Sequence, residues 1–229
     1  MTRPVITAFD WVPDFAQGQV RDLRVRWILE EAGRPYDVHY LSQGAQKRSD
    51  HRARQPFGQV PTYQDGDLTL FESGAIVLHL AERHGVLLPT DPAGKARATE
   101  WLFAALNTVE PPIMDHAVAT LFERDEPWSK PRLPAIDARI AERFGEVAAR
   151  LGDREWYDGA FSIGDLMMVA VLRIMEGSEQ LAAHPTLVTY VERGTARPAF
   201  HRALAAQLAG FTGKPPAGYA EWVAKGDCA

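Results

Sequence analysis

The sequence predicts two domains of different class, an α/β domain followed by an all-α helical domain. Three observations predict this. Up to Gly85, β-prone runs and helix-periodic runs follow one another in the order β-α-β…β-β-α. Leu87-Leu88-Pro89-Thr90-Asp91-Pro92 then carries two prolines and no period, which reads as a linker. Beyond it, apolar residues recur at helical spacing to near Leu208. The boundaries that follow are residues 1–85 and 93–209 for the two domains, 86–92 for the linker and 210–229 for a tail.

In the first domain, Val5 to Phe9 is a short β-prone run, and a loop with Pro13 and Gly18 follows it. Val20 to Ala32 places Leu23, Trp27 and Ile28 on one side, with Val25, Leu29 and Ala32 widening the apolar face of a helix. Gly33 stops that helix, with Pro35 just beyond. Tyr36, Val38 and Tyr40 alternate with polar residues, the period of a strand. A weaker helical patch spans Gln46 to Arg54. Gln55 to Tyr63 reads as a loop punctuated by Gly58 and Pro61 that runs into a strand, and Asp65-Gly66 turns the chain back as a hairpin. Glu72-Ser73 stands where a helix starts, Ile76, Val77, Leu80 and Ala81 form its face, and Gly85 closes it. This order is that of a thioredoxin-like domain.

In the second domain, Lys95 to Glu110 carries Ala98, Trp101, Leu102, Ala105, Leu106 and Val109 on one face. Pro111-Pro112 is expected to kink or restart the helix, which resumes through Phe122. Pro127 to Pro134 reads as a Pro-rich loop before a helix marked by Ile136, Ile140, Phe144, Val147 and Leu151. Ser162 and Asp165 form the sequence signature of a capping box, with Phe161 and Leu166 placed for a hydrophobic staple. Leu166 to Met175 is apolar nearly all round, as a buried central helix should be. Two short helices follow from Pro185 and Pro198, each with proline in its first turn. The Gly/Pro-rich tail from Gly210 leaves two readings open, a cover over the site or a loose end.

The functional signal lies in Gln55 to His84. Ahead of Pro61, the main chain of Val60 is outside any helix, and an extended peptide can pair with it as an added strand. Ser73 sits at a helix N-terminus, where free N–H groups and the macrodipole favour an anion. A peptide-like ligand bearing a carboxylate suits both features. "QPFGQVPTYQDGDLTLFESGAIVLHLAERHG" resembles the glutathione-binding half of the cytosolic glutathione S-transferase superfamily, and "LRVRWILEEAG" resembles the first helix of bacterial members. "FSIGDLMMVAVL" resembles the capping-box helix of their C-terminal domain, so the likeness runs over residues 5–208. The resemblance implies that Pro61 is cis, that Val60 pairs with the cysteinyl part of glutathione, and that Glu72 with Ser73 holds the γ-glutamyl end. It implies Gln59 near the glycyl carboxylate, a homodimer, and a detoxifying transferase of the cytoplasm.

Such an enzyme works by lowering the pKa of the bound thiol, because the thiolate is the nucleophile. The family's donor to sulfur is a Tyr, Ser or Cys after the first strand or at the start of the first helix. Residues 10–22 contain none of these, nor a Thr. Arg21 is the candidate replacement, since a guanidinium steadies a thiolate, and a salt-bridged helix residue is the other reading of it. Main-chain N–H groups near Gln19 and Val20 are further donors. Asp22 suits the first turn as a stabiliser and opposes a neighbouring thiolate. Trp11 and Phe15 are candidates to wall an apolar co-substrate, and Asn107 and Glu110 lie on the helix expected to face the cleft, with Asn107 the one to touch ligand.

Composition excludes other classes. A net charge of −5 argues against a nucleic-acid surface. No apolar run long enough to span a membrane is present, and Met1 to Pro4 lacks the pattern of a signal peptide. The single cysteine, Cys228, forms no internal disulfide, which fits a reducing cytoplasm. The seven histidines show no ligand spacing, so neither metal nor prosthetic group is expected, and glutathione is the co-substrate. The reading is a transferase that conjugates glutathione to small hydrophobic electrophiles or uses it to reduce organic peroxides. The alternative is a non-catalytic protein of the same fold that binds a ligand or a partner.

Overall fold

In the computed structural model, residues 3–220 are described. Cys228 and the last part of the tail lie outside them. The described chain divides into two compact units, residues 3–76 with 202–220, and residues 77–201.

The first unit is built on a four-stranded mixed sheet of order β2-β1-β3-β4. Strand β1 (Val5–Phe9) is followed by helix α1 (Asp22–Glu31), strand β2 (Asp37–Leu41) and a single helical turn α2 (Ser49–Arg52). Strands β3 (Thr62–Asp65) and β4 (Leu68–Phe71) form the hairpin, and helix α3 (Ser73–His84) begins two residues past it. β1 runs parallel to β2 in the register Val5↔Asp37 to Phe9↔Leu41, and antiparallel to β3 through Ile6↔Tyr63. This is the expected thioredoxin-like order. The parallel pair needs a crossover, which α1 supplies. Ile6, Trp27, Ile28, Leu29 and Tyr63 are fully buried and make its core. α1 starts at Asp22 rather than Val20, because Gly18 takes a left-handed φ of 77° and the chain turns there. The patch expected over Gln46 to Arg54 shrinks to a 3₁₀ turn (Ala45–Lys47) and α2.

The second unit is helical: α4 (Pro92–Ala104), α5 (Glu110–Ala117), α6 (Ser129–Leu151), α7 (Ile163–Leu172), α8 (Glu179–Ala182) and α9 (Pro185–Thr195). α10 (Pro198–Leu208) then leads the chain back into the first unit. α4 starts inside the expected linker, capped by Asp91, whose Oδ1 accepts from Gly94 N at 2.8 Å. The break foreseen at Pro111-Pro112 appears as a wide π-helical turn (Ala105–Val109) before α5 restarts. The loop expected over Pro127 to Pro134 is instead largely helix, since α6 begins at Ser129. Pro131 costs little there, because the first four N–H groups of a helix have no intrahelical partner. Only Pro134 gives up a bond.

All ten residues of α7 are buried. Its capping box is complete: Ser162 Oγ accepts from Gly164 N at 3.2 Å, and Asp165 Oδ2 accepts from Ser162 N at 3.0 Å. Asp165 also accepts from Ser162 Oγ, Tyr157 N and the Tyr190 hydroxyl. A cap read from local spacing thus turns out to be the polar centre of this unit. No helix of the described residues is long and apolar enough to cross a membrane.

Candidate functional site

The loop before β3 is held at several points. The Val60–Pro61 bond is cis. Gly58 has φ 63°, and a Cβ there would lie 2.8 Å from Gln46 O and 2.9 Å from Lys47 Cδ, so only glycine fits. Lys47 Nζ donates to Phe57 O at 3.3 Å, and His51 Nε2 is 2.7 Å from Gln59 O. Beyond the proline, Thr7 and Thr62, each 2% exposed, clamp β3 to β1. Thr62 N donates to Thr7 Oγ1 at 2.7 Å, and the two hydroxyls are 3.1 Å apart. Val60 stops short of this ladder, and its main-chain groups have no partner among the described residues. A rigid edge that leaves the N–H and C=O of one residue unpaired is what an added strand requires.

The second feature is the start of α3. Glu72 is exposed and sits at φ 69°, a left-handed conformation that is strained for a residue with a Cβ. Its carbonyl accepts the first helical bond from Ile76 N at 3.0 Å. The N–H groups of Ser73, Gly74 and Ala75 are therefore at the open end of the helix. Ser73 is 6% exposed, and its hydroxyl lies 3.5 Å from Arg24 Nη1. Arg24, in α1 and 2% exposed, places a buried cation behind this open helix end.

The third feature is the turn into α1. Arg21 occupies the N-cap position in helical conformation and is half-buried. Asp22 stands in the first turn of α1, as the sequence suggested, and is also half of a buried ion pair with Arg26 at 2.7 Å. The Gln207 amide from α10 donates to Asp22 Oδ1 at 2.7 Å and to Val20 O at 3.1 Å. Burial pushes the Asp22 carboxyl up, while Arg26 and Gln207 pull it back. Burial also works against the Arg26 charge, and Asp22 more than offsets it. The 2.7 Å geometry and the Gln207 donor favour the ionised pair.

The described part of the tail packs on the same unit. Gly213 N donates to Asp10 O at 2.8 Å, and a Cβ at Gly213 would fall 2.6 Å from Asp10 Cγ. Tyr219 meets Trp11 edge-on with ring centroids 4.7 Å apart, and Gln43 Nε2 donates to Trp11 O. Phe15 is exposed in a short turn.

Gln59, Val60, Pro61, Glu72, Ser73, Arg21 and Trp11 all belong to the first unit. Asn107 belongs to the second, exposed in the π-helical turn, whereas Glu110 is 4% exposed and turned into the interior. The sequence reading missed Thr7, Lys47, His51, Arg24 and Gln207. Arg24 had a signal, a charge placed between apolar positions of a buried helix. Gln207 had none, because its partners are 185 and 187 residues away.

The glutathione S-transferase N-terminal domain profile matches residues 6–82. Glutathione S-transferase 4 of Zea mays is 30% identical over 218 residues, covering 88% of this chain and 93% of the maize protein. A glutathione transferase from Burkholderia graminis, solved with two glutathione molecules bound per subunit, is 26% identical with a TM-score of 0.79, covering 89% of this chain and 88% of that one. Poplar glutathione transferase F1, at 22% identity and a TM-score of 0.76, shares the fold over 90% of this chain and 99% of its own. This chain belongs to the glutathione S-transferase family. A plant and a bacterial relative both match, so membership stands at the level of the family.

Proposed function

We propose that this protein binds reduced glutathione along the Val60 edge and uses its thiolate on a small hydrophobic electrophile or an organic peroxide. The observation that carries the reading is the unpaired N–H and C=O of Val60 beside cis Pro61, in a unit that also presents Ser73 at the open end of α3. The cysteinyl main chain pairs with Val60. The γ-glutamyl carboxylate takes the α3 N–H groups and the Ser73 hydroxyl, with Arg24 behind and Glu72 toward the ammonium. Gln59 and the exposed Lys47 suit the glycyl carboxylate.

Arg21 and the α1 N-terminus then favour the sulfur as thiolate. A thiol pKa lowered by about two units corresponds to about 2.7 kcal/mol, within reach of one ionic hydrogen bond and a helix dipole. In conjugation the sulfur bonds to the electrophilic carbon as that carbon's leaving group departs with the bonding pair. In peroxide reduction the thiolate takes one peroxide oxygen, an alcohol leaves, and a second glutathione gives the disulfide and water. Trp11 suits an apolar co-substrate, and Asn107 is proposed as a further ligand contact.

Calorimetric titration with reduced glutathione tests the site. Saturable binding is expected, weakened at least tenfold in Ser73→Ala; a wild type that does not bind would overturn the reading. Arg21→Ala is expected to keep binding and lose tenfold or more in turnover. If it keeps full rate, the Arg21 assignment is wrong and the Val20 N–H is the donor left at this turn, since Gln19 N already donates to Ala16 O at 3.0 Å.

The absence of any Ser, Thr, Tyr or Cys from residues 10–22 favours a second reading, a non-catalytic binding protein. Binding without turnover of any electrophile or peroxide in a broad panel would establish it. A homodimer is proposed on the family likeness and on Phe57 and Phe71, exposed at 60% and 37% and edge-on at 6.1 Å, an apolar pair that a second copy would cover. Sedimentation equilibrium should give twice the 25.4 kDa chain mass, and a monomer would refute the assignment. Dependence on reduced glutathione suits a cytoplasmic location.

A further inference from the structure

His51 is a buried side chain in the single turn α2, 1% exposed, and the chemistry above does not use it. Its Nε2 lies 2.7 Å from the carbonyl oxygen of Gln59. Its Nδ1 is buried and has no hydrogen-bond partner among the described residues. A carbonyl only accepts, so the neutral ring carries its proton on Nε2 and leaves Nδ1 bare.

The carbonyl of Gln59 and the N–H of Val60 belong to one peptide unit. That peptide is trans, since Val60–Pro61 is the cis bond of this loop. In a trans peptide the C=O and N–H point in opposite directions across a rigid plane. A donor that holds the C=O therefore sets the direction of the N–H. Gly58 N donates to Gln55 O at 3.0 Å, and Lys47 holds Phe57 O from an exposed position, so the Phe57–Gly58 peptide, two peptide units earlier, is tied at both ends. His51 is the buried tie, and the one on the peptide that carries the Val60 donor. A hydrogen bond at the carbonyl also polarises the peptide and makes its N–H a better donor.

We infer that His51 is a positioning residue of the ligand edge: by holding the Gln59 carbonyl from behind, it aims the Val60 N–H outward at the backbone carbonyl of the bound tripeptide. This rests on the reading of Val60 as the glutathione-pairing residue. The test compares wild type, His51→Phe and His51→Gln by calorimetric titration with reduced glutathione, with thermal unfolding of each. His51→Phe keeps a ring and loses the donor, and its Kd is expected to rise about tenfold. His51→Gln restores an N–H donor and is expected to bind within threefold of wild type, whatever its melting temperature. Equal Kd in all three, or binding that falls in step with stability in both variants, would overturn the inference while leaving the glutathione site standing. A wild type that does not bind glutathione would remove the reading beneath it and the inference together. If His51→Phe does not fold, long-range ¹H–¹⁵N spectra of the wild type decide: a proton on Nε2 supports the tie, and one on Nδ1 refutes it.

Discussion

Asp165→Ala is expected to cost about 3–6 kcal/mol, enough to leave much of the protein unfolded at 37 °C. The carboxylate is fully buried and accepts from Ser162 N, Ser162 Oγ, Tyr157 N and the Tyr190 hydroxyl at 2.9–3.1 Å. Alanine takes this acceptor from Ser162 N, Ser162 Oγ and Tyr157 N in the buried interior, while the Tyr190 hydroxyl keeps the main-chain oxygen of residue 165 at 3.4 Å, and each such loss runs to about 1–3 kcal/mol. A solvent-exposed cap of the same type is worth only about 1 kcal/mol. Thermal or urea unfolding reads the difference, and a loss near 1 kcal/mol would show that the cap acts alone. Burial raises the Asp165 carboxyl above its ordinary value, against the pull of its donors. A raised folded-state pKa means that the native state holds the proton more tightly than the unfolded chain. The linked stability is then fully present below the unfolded value of about 3.9 and is lost as pH rises through the folded value. The gap between wild type and Asp165→Ala should therefore widen on acidification through that window.

Arg26→Met is expected to cost about 3–5 kcal/mol, because it strands the Asp22 charge. The two side chains are 1% and 2% exposed and 2.7 Å apart. Their attraction does not by itself argue for stability, since removing both from water is costly. The double variant Asp22→Leu/Arg26→Met should accordingly recover most of the loss. The recovery stops short by about 1–2 kcal/mol, because Gln207 Nε2 loses Asp22 and keeps only Val20 O. Urea denaturation of the two singles and the double measures this. A double variant as unstable as Arg26→Met would mean that the pair is needed for the fold itself.

What could be read in the sequence was local. The β1 run, the Asp65-Gly66 hairpin, the start of α3 and the Ser162–Asp165 box each draw on residues a few positions apart, and each appears in the structure. Pro127 to Pro134 misled, because Pro127 precedes α6, Pro131 is harmless in its first turn, and Pro134 gives up a single bond in a long helix. Asp22 was legible only in part. Its first-turn position is ordinary, but Gln207 covers it from the far end of the chain. Within the site, the Val60, Pro61 and Ser73 cluster was legible because one continuous stretch carries it. The buried supports Thr7, Arg24 and His51 were not, because each reaches that stretch across the sheet or from a neighbouring helix.

Residues 202–220 complete the first unit, and this has a consequence for vectorial synthesis. A ribosome that has released residue 85 has already delivered every strand of the sheet and the first three helices. Asp22 and Val20 still lack Gln207 at that stage, and Asp10 lacks Gly213. The turn at Arg21 is thus finished by a residue made 185 positions after Asp22. The nascent chain can hold a folded sheet well before the turn at Arg21 is locked, so translation itself separates the two events by the synthesis of the whole helical unit.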